Sequence, residues 1–494
     1  MVLSDANGEH YMAEALLERE NTVFVGGQWK TGRGAERLEV IDPSSGSILS
    51  RVQAGGAEDV EKAARSAMRA FDGWKRTPGA KRADYLRGFA RGLASRKNIL
   101  VRVQMHNNGK PRVEAEIDVD DAIATFEYYA TLAEGLDADQ DARVDHAGGA
   151  HFGLVRHDPV GPVGMIVPWN FPLVTSAWKI APALAAGCTA TMKTSEMTPL
   201  NELVYGDIAM EIGLPAGVLN IITGGAEVGV ALTRAREFRK ISFTGSNMIG
   251  AKVMEAVSSR CLPVSLELGG KSPIVVTADA GIDTAVECIM GGIFFNAGQM
   301  CSATSRLIVD KSIEPKLIEA LVERTRALTV GSPFEDGTEM GPLTTSAQCH
   351  KVLWMIEEAK SDGLDCIIGG GAIDREGHFV SPTIFRDVPY DHAIWRDEIF
   401  GPVLATTTVS SDEEAIAVAN DTCYGLVGSV VSADWARAKA IADRIEAGQV
   451  WINTPQIVYP DSAWGGFKQS GIGRELGPWG LSGYLGVKHI LSGT

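Results

Sequence analysis

The sequence predicts an α/β protein made of two packed α/β regions, and three observations carry that expectation. Short apolar, partly β-branched runs alternate with segments of helical spacing through the middle of the chain. A second alternation of the same kind follows it, and 494 residues exceed what one ordinary hydrophobic core fills. In chain order, Glu58 to Trp74 and Arg112 to Gly135 carry apolar residues at helical spacing among charges and read as amphipathic helices. "TATMKTS", "GVLNIITG" and "RKISFTG" then read as strands, with helical Leu200 to Ile212 before the second and Ala226 to Arg236 before the third. Strands spaced by helices in this way form a parallel sheet with helices on its faces, the architecture class of many nucleotide-binding domains. After "SLELGGKSPIVV" come Ile282 to Phe295 as helix, "SRLIVD" as strand and Glu314 to Thr329 as helix. A further α/β stretch runs through "GPVLATTTV" to a Gly-rich region, "WGGFKQSGIGRELG". No low-complexity linker separates the regions, so a tight packing with a cleft between them is expected.

The charge balance narrows the function. With 46 Lys and Arg against 62 Asp and Glu, the net charge is −16, which repels phosphate backbones and anionic membranes and favours cationic ligands. Neither nucleic acid nor a membrane is an expected partner. The first twenty residues lack the basic start and apolar block of a signal peptide, and no run approaches the roughly 18 apolar residues of a membrane span. A cytoplasmic location is the expectation. Seven widely spaced cysteines include no CxxC pair, and the nine histidines form no HExxH helix, so neither a disulfide framework nor a metal site is expected.

Individual motifs divide between structural and chemical readings. "GGKS" at 269 to 272 ends like a phosphate-binding P-loop, but Ser265 stands where the first glycine is required, and Pro273 opposes helix entry. Gly471, Gly473 and Gly477 are spaced GxGxxxG with no clear strand before them and read as a turn. "FTGSNMIG" leaves a strand and enters a helix through Gly245 and Ser246, either a tight turn or a set of backbone N–H groups for a phosphate. Lys193 and Glu196 in "MKTSE" follow a strand, where they form a solvated pair or hydrogen-bond a ribose. Cys301 in "GQMCSATSR" is either a small buried hydrophobe or a nucleophile. Its small and amide-bearing neighbours leave room for a substrate. No histidine lies beside it, so a base would be a carboxylate, and Glu267 and Glu398 both sit at element ends.

Taken in order, "VPWNFP", "FTGS", "LELGGKSP", "GQMCSATSR" and "EIFGPV" resemble the aldehyde dehydrogenase superfamily, over nearly the whole chain from about Val23. The resemblance implies a modified Rossmann NAD-binding domain (1–135 and 158–268), an α/β catalytic domain (269–465) and a small β oligomerisation extension (136–157 and 478–494). It implies Cys301 as the nucleophile, the Asn170 amide as oxyanion donor and Glu267 as the base that releases a free acid; relatives that acylate coenzyme A generally lack that glutamate. Trp169, Lys193, Glu196, Gly245, Ser246, Glu398 and Phe400 match cofactor-binding positions. A carboxylate at Glu196 favours NAD over NADP, although Thr194 stands where the family usually has proline. A homodimer or homotetramer is implied, and no metal.

Within the superfamily, "FEYYATLAEGLDA", "WKIAPALAAGC" and "WRDEIFGPVL" are most similar to the betaine aldehyde and aminoaldehyde dehydrogenases, notably the plant-type branch. The matching aromatic box is Phe171, Trp178, Phe295 and Trp464, with Asp118 and Asp121 near the substrate entrance. Aromatic faces attract cations by roughly 0.5 to 2 kcal/mol each, which suits a betaine aldehyde or ω-aminoaldehyde. The branch typically carries tyrosine at Phe171 and tryptophan at Phe295. The alternative is therefore an apolar tunnel for neutral aliphatic or aromatic aldehydes.

Overall fold

The computed structural model describes residues 19, 21–146 and 151–493. Two α/β layers dominate. The first is an eight-stranded sheet in the order Gly471–Ile472, Val264–Glu267, Lys240–Thr244, Val163–Ile166, Ala190–Thr194, Leu219–Thr223, Val23–Val25, Gln28–Lys30. Its five strands from Val264–Glu267 to Leu219–Thr223 are mutually parallel. The predicted strands fall within it, and residues such as Ile221, Met192 and Ser242 are wholly buried, because helices cover both faces and leave no polar side. On one face Phe89, Phe126, Ile180, Leu184 and Tyr205 share a core; on the other, Val60, Leu232, Phe243 and Val253 share a second.

The second sheet orders Asp365–Ile368, Thr383–Arg386, Val403–Val409, Arg306–Asp310, Pro273–Val276, Val427–Val431, Gln449–Ile452, parallel except for the first strand. It carries its own core around Ile274, Leu307, Phe385 and Val430. The expected helices Ile282–Ile293 and Glu314–Arg326 pack beside it, each ending two or three residues earlier than the spacing predicts. A separate set of core residues for each sheet is what the chain length required.

The Gly-rich C-terminal run departs from its expected turn. Gly471 and Ile472 pair with Glu267 and Leu266 as a sheet edge, and a Cβ on Gly471 would stand 2.3 Å from the Leu266 carbonyl oxygen. The glycine permits that approach, which ties the end of the chain to the strand bearing Glu267.

A three-stranded antiparallel sheet joins Ala142–Asp145, His151–Pro159 and Leu485–Gly493, with Val487 and Leu491 largely exposed. Before it, Gly477–Ser482 is a short helix, and Leu481 and Tyr484 pack into the core beside Ile180 and Leu184. No helix among the described residues is long and apolar enough to cross a membrane, and no cluster among them has the composition to hold a metal ion.

Candidate active site

The carboxyl ends of the parallel strands open on one cavity of about 1410 Å³, the end of an open α/β sheet where ligands bind. Strand Val163–Ile166 leads to Trp169 and Asn170, Ala190–Thr194 to Lys193 and Glu196, Lys240–Thr244 to Gly245 and Ser246, and Val264–Glu267 ends on Glu267 itself. Every site residue expected from the sequence lines this cavity.

Cys301 is half-buried and follows a turn in which Asn296, Ala297 and Gly298 are all left-handed, with φ of 48°, 52° and 73°. Burial pushes its thiol well above the usual range, and the nearby Glu267 and Glu398 carboxylates push the same way against the Ser302 backbone N–H. The "GGKS" motif passes directly behind it. A Cβ on Gly270 would meet the Cys301 carbonyl at 2.4 Å, and one on Gly269 would meet Glu398 Oε2 at 2.4 Å. These glycines serve close packing at the nucleophile, and Lys271 is buried. Asn170 donates its side-chain amide to the Gln299 carbonyl at 2.8 Å. Asn296 donates to the same carbonyl at 3.3 Å and to that of Asn170 at 3.1 Å.

Glu267 is 4 % exposed, and its Oε1 has no hydrogen-bond partner. Burial raises its proton affinity well above the carboxylate norm; Glu475 adds to the rise, while Lys179 and the Trp464 indole oppose it. Lys179, fully buried in the helix Pro172–Ala186, donates to Glu475. Sequence reasoning missed this pair: its residues lie 296 positions apart, and no local pattern marks them. Glu398, raised to about 6 by burial, accepts the Gly270 N–H at 3.1 Å.

On the other side of the cavity Lys193 donates to Glu196 at 2.6 Å. Ser246 caps the helix Asn247–Ser258, its hydroxyl accepting the Ile249 N–H. Trp169 and Phe400 meet edge to face, centroids 5.3 Å apart, with Phe400 at φ 60°.

The four aromatic residues form two pairs. Phe171 and Phe295 are parallel within 7° at 6.4 Å, and Trp178 and Trp464 are tilted at 5.5 Å. Asp118 lines the cavity but its charge is already engaged. It is only 3 % exposed and bonded at 2.9 Å to the buried Lys110, so its charge is compensated by a lysine inside the protein. Asp121, raised to about 7 by burial and then by Asp118, is the one of the two without a lysine partner. Two further residues of the cavity wall went unread, one of them an acid. Glu114 lies one helical turn before Asp118, and both its oxygens stand 3.0 Å from the Asn296 nitrogen; the i, i+4, i+7 spacing of 114, 118 and 121 could have revealed it. Gln456, which donates to the Ser302 carbonyl at 3.0 Å, carries no sequence signal.

Comparisons with known proteins place the whole chain. The profile of the Aldehyde dehydrogenase family matches residues 29–490. A chloroplastic betaine aldehyde dehydrogenase of Beta vulgaris is 43% identical over 478 residues, 95% of this chain and 96% of the relative. A peroxisomal aminoaldehyde dehydrogenase of Malus domestica is 44% identical over 476 residues, 95% of each. Among solved structures, betaine aldehyde dehydrogenase from Staphylococcus aureus in complex with NAD+ superposes with a TM-score of 0.95 at 35% identity, covering 98% of both chains. The relatives overturn the expected cytoplasmic location, since these plant proteins are named for chloroplast and peroxisome. The reason is that lacking a secretory block speaks only against secretion, while organelle addresses are read by other receptors. A match of this length, on a fold that superposes almost end to end, settles the relationship: the chain belongs to the aldehyde dehydrogenase family.

Proposed function

We propose that the chain oxidises betaine aldehyde or an ω-aminoaldehyde to the free acid, with NAD as oxidant. The observation that carries this reading is the convergence of Cys301, Glu267 and the Trp178–Trp464 pair on one cavity, and the names of the plant relatives support it.

The residues present fit a dinucleotide. Small-molecule sites occupy roughly 300 to 1,000 Å³, and about 1410 Å³ leaves room for a substrate beside the cofactor. Lys193 and Glu196 would hold the adenosine ribose, where a carboxylate accepts from a 2′-hydroxyl and repels a 2′-phosphate. The helix starting at Asn247 would present N–H groups behind Gly245 and Ser246 to the pyrophosphate. Glu398 would hold the second ribose, with Trp169 and Phe400 walling that side. When bound, NAD supplies the acceptor for the aldehyde hydrogen and its electron pair.

The chain's own residues do the rest. The Cys301 sulfur, once deprotonated, adds to the aldehyde carbon. One N–H of the Asn170 amide is held by Gln299, which leaves the other for the oxyanion together with the Cys301 backbone N–H. Such a preorganised donor is worth about 3 kcal/mol. After oxidation the thioester is cleaved by water that Glu267 deprotonates, and the raised proton affinity of Glu267 suits a general base. Glu475 and Lys179 lie within electrostatic reach of that proton. The three-stranded sheet, with Val487 and Leu491 exposed, is the proposed contact for a homodimer or homotetramer.

One observation favours the neutral-aldehyde reading: Phe171 already has the Lys110 ammonium over its ring. Initial rates of NADH formation with betaine aldehyde, 4-aminobutanal, hexanal and benzaldehyde separate the two. Higher kcat/KM for the cationic pair supports the proposal, and a preference for hexanal or benzaldehyde overturns it.

A further inference from the structure

We infer that Glu114 is a positioning residue for the chemical step: its carboxyl clamps the Asn296 backbone N–H and so holds the left-handed turn that aims Asn170 and Cys301. The inference rests on the roles proposed above for those two residues.

Glu114 stands in the first turn of the helix Arg112–Gly135 and is 5 % exposed. Both carboxyl oxygens lie 3.0 Å from the Asn296 nitrogen. Asn296 and Ala297 are consecutive non-glycine residues at φ 48° and 52°, a conformation that costs of order 1 to 3 kcal/mol per residue unless its surroundings enforce it. What the strained turn secures is visible in its bonds. The Asn296 side chain holds the Asn170 and Gln299 carbonyls, the Gln299 carbonyl holds the Asn170 amide, and Gln299 is pinned in turn by Thr344 N–H at 2.8 Å. Cys301 follows two residues after Gln299. Displacing Asn296 therefore moves the amide and the nucleophile together. Burial holds the Glu114 carboxyl up to about 8, with the Asn296 N–H and Lys110 opposing and Asp118 adding to the rise. A side chain bearing that burial cost has to be offset by its contacts.

A carboxyl on the cavity wall has an obvious other use, as a partner for a substrate ammonium, and the two roles differ in kinetics. For the clamp, Glu114→Ala lowers kcat on the order of 10- to 100-fold, below the hundred- to thousandfold of losing an oxyanion donor. It does so equally for 4-aminobutanal and hexanal with little change in KM, and it slows alkylation of Cys301 by iodoacetamide. Glu114→Gln, which keeps an acceptor for the N–H, retains most of kcat. Ala297→Gly placed in the Glu114→Ala background recovers part of the loss, because glycine takes a positive φ without strain. A rise in KM confined to 4-aminobutanal, with no recovery by Ala297→Gly, overturns the clamp. So does an unchanged kcat for Glu114→Ala. If Glu114→Ala fails to fold, Glu114→Gln against Glu114→Leu at matched melting temperature makes the same comparison. Cys301→Ala run alongside separates the failures: activity surviving that change removes the underlying site reading, while activity lost there but kept in Glu114→Ala removes only the clamp.

Discussion

The ammonium of Lys110 stands 3.7 Å above the centre of the Phe171 ring. The same nitrogen is 2.9 Å from Asp118, and neither side chain reaches solvent. The protein thus supplies its own cation to one face of an aromatic residue that was expected to serve a substrate's, and it neutralises one of the two acids expected beside it. What remains open to a cationic head group is Asp121, the other faces of the aromatic pairs, and the tryptophans.

Removing one partner of that pair leaves a buried charge uncompensated. Lys110→Met is expected to destabilise the fold by about 3 to 5 kcal/mol, and Asp118→Asn in the same chain to restore most of the loss. Urea unfolding midpoints of the single and double variants check this. Additive losses would mean the two residues are not an energetic unit.

Asp121 provides a pH signature. Its carboxyl, raised to about 7, is mostly neutral at pH 6 and mostly ionised at pH 8, whereas an alkylammonium stays charged across that window. Selectivity for 4-aminobutanal over hexanal, as the ratio of kcat/KM, is expected to rise roughly tenfold between those pH values. Taking the ratio cancels any titration at Cys301 or Glu267, which both substrates share. Asp121→Asn should flatten the profile; a slope that survives it assigns the titration elsewhere.

Glu267→Gln is expected to give one rapid turnover of NADH and then stall as a thioester, since only release of the acyl group needs the base. Stopped-flow absorbance resolves the burst from the steady state. Equal loss of both phases would place Glu267 before the thioester rather than after it.

Cys301→Ala is expected to abolish acid formation while NAD still quenches tryptophan fluorescence with unchanged affinity, because the cofactor side of the cavity is built from other strands. Residual steady-state oxidation would exclude the thiol as nucleophile.

The alternation of apolar runs and helical segments determined which stretches became strands, since parallel strands covered on both faces bury side chains on both and so read as short apolar runs, as Ile221 and Met192 show. The motifs that meet in the cavity were equally legible, because Cys301, Asn170 and Glu267 stand in short contiguous contexts. Tertiary structure alone decided the rest. "GGKS" reads locally as a phosphate loop until Gly269 and Gly270 are seen pressed against Glu398 and Cys301. Gly471 reads as a turn until Leu266 lies beside it. Lys110, Lys179 and Glu475 have no periodic or compositional mark, and Glu114 has only its helical spacing to Asp118 and Asp121, because a buried charge owes its place to a partner brought near by folding: 296 residues away for Lys179, 182 for Glu114. Local order is written in neighbouring residues, whereas the electrostatics of the site exist only where distant strands and helices meet in a medium from which water is excluded.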